Sequence, residues 1–165
     1  MHSPASIPVS KTEALRTWVD ADPGALLLVK RKGQLTPVLR TRYDGENEGS
    51  AALAIIEGIE AGRLILPDVD AGPALNVTSL STLSVIPDVT SPNIGGEPPH
   101  FSFLQGKVYY DTVTGQLFFS VRGAGSMGWL PIDGKRAPLV MTQVEHGFDG
   151  FIHVGSLILR DALTP

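Results

Sequence analysis

The clearest pattern along the chain is the alternation of apolar and polar positions in residues 107–121. The two runs 107–111 and 116–121 are rich in β-branched and aromatic residues, which pack well on a pleated, partly buried surface. Between them, Asp111 suits the first position of a type I turn, and Gly115 can adopt the left-handed conformation that closes such a loop with a bulge. This segment is therefore predicted to form a β-hairpin.

Aromatic side chains occupy both faces of the predicted hairpin. Tyr109 and Tyr110 are neighbours on its first strand, and Phe118 and Phe119 are neighbours on its second. Because successive side chains of a strand point to opposite faces, each face carries rings from both strands. Such a hairpin needs apolar cover on both sides. The sequence leaves open whether a second layer of the same chain or a neighbouring subunit provides it.

Helical spacing predicts a first helix near the N-terminus. Ser10, with Glu13 three residues later, has the pattern of a capping box, in which each side chain accepts a hydrogen bond from a backbone N–H that the helix start leaves unpaired. Apolar residues then recur at the spacing of one helical face: Ala14, Leu15, Trp18 and Val19. The Asp-Pro-Gly run at 22–24 ends this predicted helix.

A second helix is predicted over residues 50–61. Leu53, Ile56 and Ile59 align on one side of a helix, and Gly62 supplies the stop. Both predicted helices flank short strands, so residues 10–67 together are predicted to form a small α+β unit.

The strands predicted within this unit are brief. Residues 25–30 and 34–43 pair as a hairpin through a turn at Lys32 and Gly33, and residues 63–66 form a short strand that ends before Pro67. Pro37 has no N–H to donate to a ladder, which favours an edge position for the second strand of the hairpin.

The amino-acid composition and the predicted elements change after residue 67. Residues 1–9 are predicted to be a flexible arm, 68–99 a charge-poor strand followed by a linker rich in Pro, Gly, Ser and Asn, and 100–165 an antiparallel β domain. Strands are predicted there at 101–104, 139–145 and 151–160, besides the hairpin. The predicted fold class is mainly β with a small N-terminal α+β unit and a C-terminal antiparallel β-sandwich or barrel-like domain.

Composition narrows the function classes. The chain is 42% hydrophobic and only 18% charged, against about 25% charged residues in an average domain. Either a surface of Ser, Thr and Gly or coverage by other chains explains so few charges. With 13 basic and 17 acidic residues, the net charge of −4 argues against a nucleic-acid partner, which needs clustered cations.

The absence of cysteine excludes disulfides, thiolate metal sites and cysteine nucleophiles, and it favours assembly in a reducing cytoplasm. Residues 1–9 lack the basic and apolar regions of a signal peptide. No apolar stretch reaches the roughly 18–20 residues that span a bilayer. A soluble protein without membrane insertion is expected.

Motifs that suggest nucleotide or calcium binding lack their structural context. Residues 123–128 match G-x-G-x-x-G, but Trp129 and Pro131 follow where the fingerprint requires the start of a helix. Residues 44–49 begin like an EF-hand loop, but its twelfth position, normally a bidentate Glu, is Ile55. No nucleophile stands beside a base, so no catalytic residue, cofactor or metal site is predicted.

The acids and imidazoles at 145–153 are the densest such group in the sequence: Glu145, His146, Asp149 and His153. A turn over residues 147–150 would bring the two histidines together. A metal site normally needs three or four ligands with supporting groups around them, so a polar loop is the better interpretation.

The segment 106–132 reads G-K-V-Y-Y-D-T-V-T-G-Q-L-F-F-S-V and then, after a few residues, G-W-L-P-I. It resembles a segment of bacteriophage tail-fibre and other virion appendage proteins, in which a Tyr-Tyr-Asp-Thr hairpin precedes a Gly-Trp pair. Residues 75–85 are similar to the charge-poor strands of trimeric fibre shafts. The resemblance covers about a quarter of the chain.

This resemblance implies a non-enzymatic structural protein of a phage virion, of fibre, capsid-decoration or connector type. It implies assembly in the host cytoplasm, a homotrimer, contacts with other virion proteins and attachment to a host. Aromatic rings dominate buried interfaces, so the predicted interface residues are Tyr109, Tyr110, Phe118, Phe119 and Trp129. For each ring the sequence leaves a role in the chain's own core open.

Two other functions remain open from the sequence. A carbohydrate- or small-ligand-binding β-module would use an exposed Trp129 or Tyr109 to stack on a sugar. A metal-dependent enzyme would use His146 and His153.

Overall fold

The computed structural model describes residues 13–43, 50–67, 72–87, 105–123, 126–139 and 150–161. Within these ranges the chain forms eleven strands and one short 3-10 turn, with no α-helix. The strands lie in two antiparallel sheets. The prediction of a mainly β protein is therefore confirmed, and the predicted N-terminal α+β unit is wrong.

The N-terminal sheet contains six strands in the order β1-β6-β2-β3-β4-β5. Its strands are β1 (Glu13–Leu15), β2 (Leu26–Arg31), β3 (Gln34–Tyr43), β4 (Ser50–Ile55), β5 (Leu64–Ile65) and β6 (Ala74–Asn76).

The C-terminal sheet contains five strands in the order β10-β9-β8-β11-β7. Its strands are β7 (Ser81–Pro87), β8 (Val108–Asp111), β9 (Gln116–Gly123), β10 (Ser126–Pro131) and β11 (Phe151–Asp161).

The hairpin of β2 and β3 is confirmed. Lys32 and Gly33 both have positive φ, 50° and 79°, as a two-residue type I′ turn requires. The prediction that Pro37 marks an edge is wrong, because β3 lies between β2 and β4. Pro37 is tolerated because it stands where the ladder with β4 ends: its carbonyl accepts a hydrogen bond from Ile56 N at 3.1 Å, and only the reciprocal bond is missing.

The predicted second helix is instead β4 and the loop that follows it. Ala54 and Ile56 pack into the core shared with the C-terminal sheet, whereas Leu53 and Ile55 pack on the opposite face. A strand buried on both faces is a continuous apolar run, and such a run does not show the two-residue period that would distinguish it from a helix.

The predicted first helix is also wrong. Its residues form β1 and then a 3-10 turn at Trp18–Asp20, and the Thr17 hydroxyl caps that turn by accepting from Val19 N at 3.3 Å. Trp18 N donates to Gly72 O at 3.0 Å, so the tertiary contact fixes the turn. The three-residue spacing between Leu15 and Trp18 reflects this turn and not an α-helix.

The two sheets share one hydrophobic core. The N-terminal sheet contributes Leu26, Leu39, Ala54 and Ile56, and the C-terminal sheet contributes Val108, Phe119, Val121, Leu130 and Leu157. The predicted division into segments 10–67, 68–99 and 100–165 stays a prediction, but this core takes side chains from both the first and the last of them.

The sheets also meet beside β5, where the end of β9 extends past β8. Arg122 N donates to Gly62 O at 2.8 Å, and Arg63 and Arg122 form an isolated parallel bridge. A Cβ on Gly62 would lie 2.4 Å from Gly106 N, and one on Gly106 would lie 2.4 Å from Ala61 O. Backbone therefore packs directly on backbone at this junction.

A register shift in β11 allows this strand to place side chains in two different hydrophobic clusters. Phe151 and His153 pair with β8, and the register then shifts between His153 and Gly155. Beyond the shift, Leu157 faces the shared core, whereas Phe151 packs in a separate aromatic cluster. The extra residue of a bulge moves the following side chains to the other face.

Some of the remaining predicted segments lie within the described residues, and others do not. The strand predicted at 151–160 is confirmed by β11, the one at 63–66 by β5, and the strand in the charge-poor segment by β6 and β7. The predicted arm at 1–9, the strand at 101–104 and most of the linker at 87–99 and of the strand at 139–145 lie outside the described residues. Across the part of the chain that is described, no helix is long and apolar enough to cross a membrane.

Candidate functional site

The hairpin of β8 and β9 forms as predicted. Tyr109 pairs with Phe118 across the two strands, and the next pair, Val108 with Phe119, points to the other face. Gly115 has a φ of 76°, and its N–H donates to Asp111 O at 2.8 Å.

The Asp111 side chain holds the tip of the hairpin. Its Oδ1 accepts from Val113 N at 3.0 Å, and its Oδ2 accepts from Thr114 Oγ1 at 2.7 Å. Asp111 is buried with only 4% of its surface exposed. The carboxylate thus closes the loop locally, as the turn chemistry of the sequence indicates.

On the outer face of the C-terminal sheet, four rings pack into what we call the aromatic cluster: Tyr109, Phe118, Trp129 and Phe151. Trp129 meets Tyr109 edge to face at 5.2 Å between centroids and Phe151 likewise at 5.4 Å. Phe118 and Phe151 stack at 5.5 Å. These are the separations and angles that aromatic pairs prefer.

The five predicted interface residues are therefore mostly interior. Tyr109, Phe118 and Trp129 are at most 3% exposed in the aromatic cluster, and Phe119 is fully buried in the shared core. Only Tyr110 is accessible, at 38%. The core role that the sequence left open holds for four of the five, and contact of these rings with a partner chain stays a prediction.

The sugar-binding alternative requires an exposed ring at Trp129 or Tyr109. Both are 2% exposed, so neither face is open to a ligand in this structure.

The G-x-G-x-x-G motif spans the connection between β9 and β10. Gly123 pairs with Ser126 across the two strands, so a strand follows the motif's loop where a dinucleotide site would have a helix. The EF-hand-like residues 44–49 lie outside the described residues, and Ile55 belongs to β4.

Of the two histidines in the metal alternative, only His153 lies within the described residues. His153 lies on β11, is 2% exposed and has its ring 5.4 Å from that of Tyr109. Glu145, His146 and Asp149 lie outside the described residues. Among the residues with described positions, no group of three or more His, Cys, Asp or Glu could hold a metal ion.

Arg40 is a buried cation with a structural role. It is 8% exposed, and its guanidinium donates to the carbonyls of Thr41 and, at 3.3 Å, Val19. Burial, with a smaller contribution from the charge of Arg42, lowers the pKa of Arg40, while Asp22 opposes the shift. The contact with Val19 joins β3 to the 3-10 turn that covers the sheet.

A different surface collects charge and exposed apolar side chains. We call it the basic end of the N-terminal sheet, and it is formed by the β2–β3 turn, the loop at 56–62 and the adjoining part of β9. Its charged and apolar members are Lys30, Arg31, Lys32, Leu35, Glu57, Ile59, Glu60, Arg63 and Arg122.

Glu60 ties these elements together. Its Oε2 lies 2.8 Å from Arg31 Nη1, and its Oε1 lies 2.8 Å from Arg63 Nη1 and 3.5 Å from Lys32 Nζ. Burial alone would raise the pKa of Glu60, but the hydrogen bond from Arg63 and the charges of Arg31 and Lys32 outweigh it and lower the pKa. One carboxylate thus sits among three cations.

Two apolar side chains project from the same end. Ile59 is fully exposed, at 106%, and Leu35 is 65% exposed. Leu35 lies opposite Lys30 in the hairpin, and Ile59 precedes Glu60 in the loop. Sequence reasoning missed this surface because it placed Ile59 on the buried face of a helix. The signal that was available is the position of Ile59 between Gly58 and Glu60, which is typical of a loop tip.

Searches for similar proteins returned no family model, no curated protein and no solved structure that matches this chain.

Proposed function

We propose that this chain is a non-catalytic structural protein of a phage virion that acts by attachment and assembly. The observation that carries the proposal is the folding of the virion-like segment 106–132. It forms the consecutive antiparallel strands β8, β9 and β10. Within it, Trp129 of the Gly-Trp pair packs against Tyr109 of the Tyr-Tyr pair.

The finer architecture that we propose is an antiparallel sandwich open at its edges. The shared core and the two strand orders support it, since each sheet has two terminal strands. In this sandwich the N-terminal sheet packs on the C-terminal sheet. The sequence predicts a sandwich or barrel formed within residues 100–165 alone. A barrel would need the terminal strands to close on one another.

Self-association, as a homotrimer, and contacts with other virion proteins are part of the proposal. The low charge content supports it, as does β7, a seven-residue strand at the end of its sheet that contains no charged residue. An uncharged strand at a sheet edge offers backbone groups for pairing with another chain.

The virion role is tested on particles. Phage particles from a lysate of the host that carries this gene should be banded on a density gradient, washed in high salt and analysed by mass spectrometry. We expect the chain in the particle band at a fixed ratio to the major capsid protein. Its absence from intact particles, with the chain present in the soluble lysate, would overturn the virion role.

Self-association is tested separately on the purified chain. Light scattering after size exclusion should give a mass of about three times the 17.5 kDa of one chain. A monomer over the whole accessible concentration range would overturn the trimer and leave the particle experiment to decide the virion role.

A further inference from the structure

We propose that the basic end of the N-terminal sheet is a docking surface for acidic side chains of a second copy of this chain, in a head-to-tail contact. The proposal rests on the self-association proposed above and names the surface that carries it.

Charge complementarity selects the partner. The basic end holds five of the chain's 13 Lys and Arg residues against Glu57 and Glu60 of its 17 acids, so the rest of the chain retains eight basic and fifteen acidic residues. A surface of net positive charge thus belongs to a molecule that is otherwise strongly acidic. Opposite potentials favour the encounter of this end with another part of a second copy, and like charges oppose the contact of two basic ends.

Glu60 does not neutralise all the cations at this end. Arg31 and Arg63 hold its carboxylate at 2.8 Å, but the Lys32 side chain is 78% exposed and lies 3.5 Å away. Arg122 is exposed and stands beside Arg63 through the Gly62 hydrogen bond. Lys32 and Arg122 are therefore available to carboxylates of a partner.

Ile59 supplies an apolar contact on a loop that is already ordered. Backbone bonds from Ala61 N to Gly58 O, at 3.1 Å, and from Gly62 N to Ile55 O, at 2.7 Å, fix the loop, and the ion pairs of Glu60 fix it to the β2–β3 turn. A side chain presented by a rigid loop loses little conformational freedom on binding. Arginine is also enriched in protein interfaces, and Arg31 and Arg63 bind Glu60, the residue that follows Ile59.

A head-to-tail contact of this kind can build a small ring of identical chains. A contact between two different surfaces of identical chains is heterologous, and it closes into a ring when the rotation between copies allows it. A trimer formed in this way would use the basic end of every copy once.

The experiment compares two variants of the basic end with two matched controls by sedimentation equilibrium of the full chain. Ile59→Ser removes the exposed apolar contact, and Lys32→Glu reverses a cation whose side chain is 78% exposed. Val113→Ser removes an apolar side chain that is 55% exposed at the tip of the β8–β9 hairpin. Lys135→Glu reverses an exposed cation outside the basic end. Circular dichroism verifies that all four fold.

We expect each basic-end variant to weaken self-association by about tenfold or more, and each control to change it by less than about twofold. Raising the salt concentration from 50 to 500 mM should weaken the association of the wild type, and of Ile59→Ser, more than that of Lys32→Glu, because only Lys32→Glu has lost an attractive charge.

An oligomer that all four variants leave unchanged would overturn this docking surface while the self-association proposal stands. A wild type that is monomeric throughout would overturn both, and the particle experiment would still test the virion role. Loss of incorporation into particles by Ile59→Ser, with a monomeric wild type, would assign the surface to a different acidic protein and overturn the second copy.

Discussion

The outer faces of the two sheets are covered in different ways. The outer face of the N-terminal sheet carries aliphatic side chains, among them Leu27, Val38 and Leu53, and the segment around Trp18 packs across them. The outer face of the C-terminal sheet carries the aromatic cluster, in which the rings pack on one another and Met127 and Leu139 pack against them. The shared core lies between the sheets.

The two outer faces are therefore stabilised in different ways, one by a covering segment and the other by its own aromatic side chains. Small aliphatic side chains leave a strand surface that needs a second layer, so the N-terminal sheet depends on a covering segment. Aromatic side chains bury about 150–250 Å² each in a typical protein, so a few rings supply much of the apolar burial on the C-terminal face. We therefore expect the two outer faces to respond differently to substitution, and both to depend on the junction that keeps the sheets together.

The largest effect is expected at that junction. Gly62→Ala adds a Cβ that would lie 2.4 Å from Gly106 N and 2.6 Å from Ser120 O, at a φ of +84°. Because backbone on both sides must move, we expect a loss of about 5 kcal/mol or more in the free energy of unfolding, measured by urea denaturation. Gly33→Ala is the control: its φ is +79° with nothing within 4 Å, so only the conformational cost of about 1–2 kcal/mol applies. Equal losses for the two variants would contradict the close packing at the junction.

The next effect distinguishes the outer faces. Trp129→Ala removes a ring that contacts both Tyr109 and Phe151, and we expect it to cost about 3–5 kcal/mol in global stability. Trp18→Ala should cost less and should act locally, because it loosens the covering segment without removing a strand.

Native-state hydrogen exchange measures that difference. Amides of the covering segment should lose protection in Trp18→Ala while those of β8 and β9 keep theirs, and Trp129→Ala should lower protection in both strands. Uniform loss of protection in Trp18→Ala would show that the two faces are not distinct.

The smallest effect concerns the basic end and depends on pH. Since the pKa of Glu60 is lowered in the folded chain, its ion pairs stabilise the loop fully at neutral pH. This stabilisation is lost as the pH falls through the folded-state pKa, which lies below the usual range of a glutamate. An NMR titration of the Glu60 carboxyl should show that pKa rising towards its ordinary value in Arg63→Ala. An unchanged titration in that variant would contradict the role of Arg63.

Local turn chemistry explains which elements the sequence predicted. Asp111, Gly115, Lys32 and Gly33 act on residues next to them, so the two hairpins follow from short stretches of chain. β11 and β5 were predicted because strand composition and a bounding proline or glycine are also local signals.

Burial on two faces explains the predictions that were wrong. β4 has no alternation because the shared core takes Ala54 and the outer layer takes Leu53, and the same apolar run then matches a helix equally well. The candidate site shows the same limit. Four of the five predicted interface rings are buried within the chain and Tyr110 is exposed. The spacing of Tyr109 and Phe118 does not encode whether the same chain or a partner covers a ring.

The sequence by itself determined the mainly β character, the two hairpin turns and the absence of cysteine chemistry, because each depends on residue identity or on neighbours along the chain. Only the tertiary structure decided that residues 50–55 are a strand, that Trp129 is interior and that Ile59 is exposed. Those outcomes depend on which surfaces of distant segments meet. The assembly of Arg31, Lys32, Glu60 and Arg63 into one end of the molecule depends on the same contacts.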